Sequence, residues 1–549
     1  MLAGLQILVF LLAVVAAVAF VASRLGLASP ILLVAAGVAI AMAPGVPPLV
    51  LEPEFILLLV LPPVIYISAI AMSWREFQFN LQPILVLAIG CVVFTTIAVS
   101  AATNWLLGWP WAVGFVLGAI VSPPDVLAPL AIARRMRLPR RIRVILEGEG
   151  LANDATALVL YRFAVAAVSV GSFSLAQAGE TFTIIIVSEI VWGVGVGWTM
   201  LRLRRFMRDP RIEITLSLIT PFLAYWPPEH LGGSGVIATV ATGLYISWNG
   251  PRLISAATRL QGVFFWDFFI YLIEGLVFLF TGLQAQALFA RIQNHSLYDL
   301  AASAALVSLV VIVARFIWIF PHAYLPRWLI PRARRQPAPP WQGLFIISFT
   351  GVRGIVSLAT ALAIPITTAR GEPFPYRDSI FFLAFCVVMV TLVFQGAMLP
   401  WVIRKLGVSK AGMEERLLDR AEEIQARRSA VEASTARLAA LVAEQDVPEE
   451  ATLSFQAQQD YFLSRIRMKC DIEEERRALT ELHDEIELEL IAAERDAING
   501  MLREGKLTDE ARRRIERELD LREADVLNRR KERLGQGDAP RQERGAREM

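Results

Sequence analysis

The sequence predicts an all-α polytopic membrane protein with a helical cytoplasmic tail. Three observations carry this. Hydrophobic residues make up 55% of the 549 positions, and the mean hydropathy is +0.52, which excludes an ordinary soluble domain. Apolar windows long enough to cross a bilayer at roughly 20 residues each recur up to about residue 405. Charge is segregated: before Leu406 it is mostly Arg clustered in loops, whereas beyond it the chain is dense in Glu, Arg and Asp. Every Lys lies at or after Lys405, so the formal net charge of +2 describes neither region.

The windows predict about thirteen spans, at 3–23, 30–44, 53–72, 81–104, 109–133, 143–169, 180–202, 211–227, 232–248, 262–288, 298–325, 342–366 and 377–403. The first is apolar from its start and lacks a cationic leader, so it reads as a retained helix rather than a cleaved signal. Arginines fill the odd-numbered loops: Arg134, Arg135, Arg137, Arg140, Arg141 and Arg143 in one, Arg202, Arg204, Arg205, Arg208 and Arg211 in another, and Arg327, Arg332, Arg334 and Arg335 in a third. The even loops hold only Arg291, Arg370 and Arg377. Positive-inside asymmetry then predicts an N-terminus outside and a C-terminus in the cytoplasm of a plasma (inner) membrane. Arg162, near the outer end of span six, is expected to snorkel.

Span six is the centre of interest. Its stretch Glu147-Gly148-Glu149-Gly150-Leu151-Ala152-Asn153-Asp154 puts three carboxylates and an amide into an apolar helix. Such residues face a bundle interior or a watery cavity and mark ion paths. Helical spacing sets Glu147 and Asp154 on one face and Glu149 and Asn153 on another. Counted from the cytoplasmic end, Asp154 lies ~15 Å deep, near the middle of a ~30 Å core.

Two spans carry breaks. Span five contains Ser122-Pro123-Pro124-Asp125, where two prolines remove backbone donors and push the preceding residues out of helix. Span twelve contains Gly351-Val352-Arg353-Gly354. Irregular backbone at this depth is tolerated only where it is buried or lines a cavity. Paired interruptions in corresponding positions of two halves point to a transporter site at an inverted-repeat interface. Asp125 sits beside its break, where freed carbonyls can help hold a cation. Arg315 in span eleven needs a carboxylate partner, and Glu149 is the natural candidate. Glu274 in span ten is a further buried acid that reads equally as functional or structural.

The four histidines are scattered and none falls mid-span, so intramembrane proton chemistry must use carboxylates. The three cysteines have no metal spacing and no disulfide framework. In the tail, residues 413–446 and about 452–503 show helical periodicity, interrupted at Val447-Pro448 and closed at Gly505. Thr508 then caps a further helix, and the end from about Gly535 is expected to be disordered. The tail has no P-loop and no glycine fingerprint, and neither a cofactor nor a nucleic-acid partner is expected.

Ser122-Pro-Pro-Asp125, the Arg-rich loop and Leu146-Glu-Gly-Glu-Gly-Leu-Ala-Asn-Asp154-Ala-Thr-Ala-Leu-Val-Leu160 resemble the monovalent cation:proton antiporters, in particular their sodium/proton exchanger branch. Phe349-Thr-Gly-Val-Arg353-Gly-Ile-Val-Ser-Leu358 is similar to that branch's second crossover motif, and Leu61-Pro62-Pro63 to its span-three motif. The resemblance covers about residues 1–405. It implies a homodimer with a dimerisation domain and a moving core, and spans five and twelve crossing at their breaks. It makes Asp154 the transport carboxylate, with Asn153 and Asp125 helping to form the site for transported Na+. It makes Glu149–Arg315 a structural ion pair, with Arg353 steadying a crossover built by Pro123, Pro124, Gly351 and Gly354. The sequence departs from the family at Ile67, where many relatives have Glu, at Pro124, often Thr, at Gly150, often Ser, and at Glu274, where Asn is expected.

The expected function is therefore not enzymatic. It is secondary transport, in which Asp154 alternates between a proton and a hard monovalent cation, Na+ ahead of K+ or Li+, during alternating access. Electroneutral exchange is expected, because Asn153 precedes Asp154 and no intramembrane Lys is present. The rival readings are a cation channel and a receptor or scaffold whose working part is the tail.

Overall fold

The computed structural model describes residues 2–25, 29–43, 56–170, 175–207, 209–291, 297–329, 338–444, 448, 450, 452–459, 463, 474–503, 506–507 and 509–545. The chain separates into two compact units, Met1–Glu415 and Arg416–Met549. Gly505, Thr508, Val447 and the loop arginines Arg208, Arg332, Arg334 and Arg335 lie outside the described residues.

The first unit is helical throughout its described core. Helices α1 (Leu2–Leu25) and α2 (Ser29–Ala41) are followed by α3 (Leu61–Ala71), which a π-helical turn over Ile56–Val60 leads into. A short amphipathic α4 (Trp74–Phe79) precedes α5 (Leu81–Leu107). Then come α6 (Trp111–Val121), α7 (Leu127–Arg135), α8 (Arg140–Val170) and α9 (Leu175–Arg204). The sequence continues with α10 (Pro210–His230), α11 (Val236–Asn249), α12 (Ala256–Arg291) and α13 (Leu297–Leu329). The unit closes with α14 (Trp341–Phe349), α15 (Ile355–Leu362) and α16 (Arg377–Leu406).

Every apolar segment expected from the sequence coincides with one of these helices or with a broken pair. Among the described residues, seven helices are long and apolar enough to cross a membrane, and three shorter apolar ones accompany them. The expected spans at 211–227, 232–248 and 342–366 fall outside both groups, the last because it is the broken pair α14 and α15, each short by itself. In α10 the cause is its composition: Pro221, Pro227 and Pro228 lie inside the helix and Glu213 in its first turn.

The expected breaks are where the helices stop. α6 ends at Val121 and α7 begins at Leu127, so Ser122–Val126 is non-helical. α14 ends at Phe349, and α15 begins after Gly354, whose backbone is extended at φ −127°. Two longer helices also carry π turns, Val86–Cys91 in α5 and Val390–Gln395 in α16. A π turn misaligns backbone groups and usually needs outside partners. Here Trp318 Nε1 donates to Val86 O at 3.0 Å, and Thr391 Oγ1 accepts the Arg353 N–H at 2.9 Å.

Where helices approach most closely, glycine permits it. A Cβ on Gly282 of α12 would lie 2.8 Å from Gly37 Cα in α2, so these helices cross backbone to backbone. Past α16, Gly407 has φ +67° and turns the chain into α17 (Val408–Glu444). The start of α17 packs on the Arg-rich loop: Ser409 Oγ donates to Met136 O at 3.0 Å, and Glu415 Oε2 accepts from the Arg140 N–H at 2.7 Å.

In the second unit, α18 (Glu474–Arg503) and α19 (Asp509–Gly545) pack through Ile491, Leu519 and Val526. Arg495 bridges to Asp520 and Glu523 at 2.8 and 2.7 Å. Near its start, α19 carries Arg/Glu pairs one turn apart, Arg512–Glu516 and Arg514–Glu510, which favour helix there.

Candidate functional site

The two breaks meet. The Asp125 N–H donates to Val352 O at 2.7 Å, and the Asp125 carboxylate packs directly against Gly354, where a Cβ would collide with Oδ2. Gly354 is therefore required by space rather than by backbone conformation. Gly351 has a similar cause: a Cβ there would lie 2.7 Å from Arg315 Cδ. Each glycine seats a charged side chain from another element against the crossover.

Pro123 and Pro124 do more than stop α6. Pro124 O accepts from Asn153 Nδ2 at 2.7 Å, so α8 ties itself to the carbonyl exposed by the break. This bond fixes the amide's orientation and leaves Asn153 Oδ1, fully buried, without a hydrogen-bond partner in the structure. An orphaned buried acceptor beside an acid suits a site that a cation completes.

Asp154 lines a cavity of about 100 Å³ together with Asp125, Glu147, Glu274, Ser68 and Ser357. Glu147 and Asp154 share this cavity, as seven-residue helical spacing requires. The other face of α8 behaves differently. Glu149 is 0% exposed and receives Arg315 in a two-pronged pair, Nη1 to Oε1 at 2.5 Å and Nη2 to Oε2 at 2.7 Å. Arg315 Nε donates to Ile347 O at 3.1 Å, so this guanidinium joins α8, α13 and α14. Arg353 is also buried, at 1% exposure, with Nε and Nη1 lacking a hydrogen-bond partner; its backbone is held by Thr391.

Glu274 enters the same cavity from α12, so it faces the acids of α8 rather than a separate structural setting. Gly150, which offers no hydroxyl, is filled differently: a Cβ there would lie 2.5 Å from Val126 Cγ2. Arg162 pairs with Glu229 and donates to the Gly232 and Gly233 carbonyls, which joins α8 to the α10–α11 turn.

Sequence reasoning missed several contributors. Ser68 and Ser357 line the cavity but are small and common in helices. Thr391 was invisible because its role depends on a π turn. Glu189, 2% exposed, accepts from the Ser234 N–H at 2.6 Å and the Gly235 N–H at 3.3 Å, and so caps α11 from α9. Its place in an apolar helix was the available signal.

Comparisons with known proteins agree with this architecture. The transmembrane sodium/hydrogen exchanger family model matches residues 9–405. An uncharacterised Na(+)/H(+) exchanger of Mycobacterium tuberculosis is 36% identical over 407 residues, covering 73% of this chain and 74% of that protein. A sodium, potassium, lithium and rubidium/H(+) antiporter of Bacillus pumilus is 32% identical over 387 residues, covering 68% of this chain and 58% of that protein. The solved sodium proton antiporter MjNhaP1 of Methanocaldococcus jannaschii has the same fold, with a TM-score of 0.59 at 18% identity, over 74% of this chain and 99% of its own. The chain belongs to the sodium/hydrogen exchanger family.

Proposed function

We propose that this protein exchanges a monovalent cation, Na+ first, for H+ by alternating access, one for one, with Asp154 as the group that both ions share. The observation that carries this reading is the cavity that Asp154 and Asp125 line at the crossover, where no basic side chain is found among the described lining residues. Carboxylates crowded in a poorly solvated space resist being charged together, so the site is stable when a proton or a cation neutralises it. Proton and cation therefore compete, and competition at a site open to one side at a time couples their movements. Asn153 Oδ1 and the Asp125 carboxylate supply further oxygens for a hard cation.

Glu149 stays outside the cycle because Arg315 holds it, and Arg315 cannot release a proton at physiological pH. One cycling carboxylate then gives electroneutral exchange. The description of the Bacillus relative as an antiporter of sodium, potassium, lithium and rubidium supports a site tolerant of several alkali cations. We place the N-terminus outside and the C-terminus inside the plasma membrane on the arginine asymmetry, with a homodimer as the working unit. The channel and scaffold readings are not favoured, since the family model and the named relatives are exchangers.

The test is sodium-driven proton movement in proteoliposomes, with the membrane potential clamped by potassium and valinomycin. The expected rate is insensitive to the imposed potential. A rate that rises steeply with potential would overturn the one-for-one stoichiometry.

A further inference from the structure

The cavity beside Asp154 has two walls of unlike chemistry. One comes from the crossover and α8 and carries Asp125, Glu147 and Asp154. The other comes from α3 and α12 and is aliphatic, through residues such as Val64, Ile65 and Val277, except at Ser68 and Glu274. Among the described residues lining the cavity there is no Arg, Lys or His. Glu274 thus brings a fourth carboxylate to about 100 Å³ of space that already holds three.

A glutamate in the middle of an apolar helix is costly, and a second acidic wall makes it costlier unless something positive lies between them. The helix that carries it is firmly seated. Gly275, the next residue, packs on α1, where a Cβ would lie 2.5 Å from Val15 Cγ1. Gly282, two turns on, meets Gly37 of α2 backbone to backbone. Glu274 is therefore presented from a fixed α1–α2–α12 wall, whereas Asp125 and Asp154 belong to the crossover and α8. On the crossover side, two positions add no free oxygen: Gly150 has no hydroxyl, and Pro124 O is already engaged by Asn153.

We infer that Glu274 is a cation-binding carboxylate supplied by the wall opposite Asp154, and that it sets the affinity with which an alkali cation enters the site. The inference rests on the exchange reading given above and deepens it. A hard cation collects oxygen ligands, and a carboxylate on the opposite wall offers them while the cavity is loaded. Glu274 is seated with α1 and α2 rather than on α8 or the crossover, so in this inference it does not travel with the cation. It adds affinity without adding to the charge carried per cycle.

The experiment compares wild type, Glu274→Gln and Glu274→Asp in proteoliposomes loaded with a pH dye, with Na+ varied at fixed pH. Glu274→Gln should raise the KM for Na+ about tenfold while the rate at saturating Na+ stays within about twofold, the signature of lost binding rather than lost turnover. Glu274→Asp, which keeps the charge, should recover part of that shift. The Na+ concentration needed to raise the thermal midpoint of the purified protein should move by a similar factor, since a ligand stabilises according to its affinity. An unchanged KM together with an unchanged thermal response would overturn the inference. So would a loss of exchange in Glu274→Gln accompanied by a lowered midpoint without Na+ and no recovery in Glu274→Asp, which would make Glu274 a packing residue. A new dependence on membrane potential in Glu274→Gln would also overturn it, by making Glu274 a charge carrier. No exchange by the wild type would instead refute the exchange reading itself.

Discussion

Glu149 and Asp154 lie five residues apart on one helix, yet their surroundings are opposite. Glu149 is sealed from solvent and spent on Arg315, both oxygens taken by one guanidinium. Asp154 lines a cavity whose described lining has acids, hydroxyls and aliphatic groups but no base. A carboxylate with a permanent counter-charge is a fastener, and a carboxylate left to a cavity takes its counter-charge from solution. In the exchange reading proposed above, the same residue chemistry becomes structural or exchangeable according to which side of α8 it occupies.

The sharpest way to break this contrast is to strand one member of the fastened pair. Arg315→Met or Glu149→Gln should each cost ~3–5 kcal/mol, because the remaining group is buried without its partner. The double variant should lose less than the two singles added together, and additive losses in a thermal-stability cycle would deny the coupling. Next in size is Gly354→Ala, whose Cβ runs into the Asp125 carboxylate. Overpacking of this kind costs ~1–3 kcal/mol, and here it also displaces a cavity acid, so the exchange rate should fall more than stability does. Comparing initial exchange rates with melting midpoints checks this, and a variant with normal exchange would show that Asp125 can move without consequence. Smaller again is Thr391→Val, which leaves the Arg353 N–H without its acceptor at ~1–3 kcal/mol. Its effect should appear in stability first, and an unaltered melting midpoint would mean that water replaces the hydroxyl.

Much of this arrangement was legible in the sequence. Pro123-Pro124 and the Gly351/Gly354 pair announce breaks because no buried helix tolerates them without a reason. Arg315 demanded an acid, and Glu149 was the natural candidate because Asp154 and Asp125 would lose an exchange role if permanently paired. The seven-residue spacing of Glu147 and Asp154 placed both on one side of α8. What could not be read is contact between helices distant in the chain. Glu189 caps α11 across some 45 positions, and Arg162 reaches the carbonyls of the α10–α11 turn, because tertiary packing brings orphaned backbone groups near them. Backbone carbonyls leave no trace in residue identity. Glu274 lay between the two cases: its cost was plain, but only the packing of α12 places it in the lining of the cavity that Asp154 shares.

The central claim is that one ionisable group on α8 serves both ions. Its most direct test is an inward Na+ gradient imposed on proteoliposomes that contain either the wild type or Asp154→Asn, each shown to be folded by its elution profile and melting curve. Wild type should alkalinise the lumen as H+ leaves against entering Na+. Asp154→Asn should give no response above protein-free vesicles, because an amide keeps the shape but can neither take a proton nor neutralise a cation. Robust alkalinisation by folded Asp154→Asn would contradict the account.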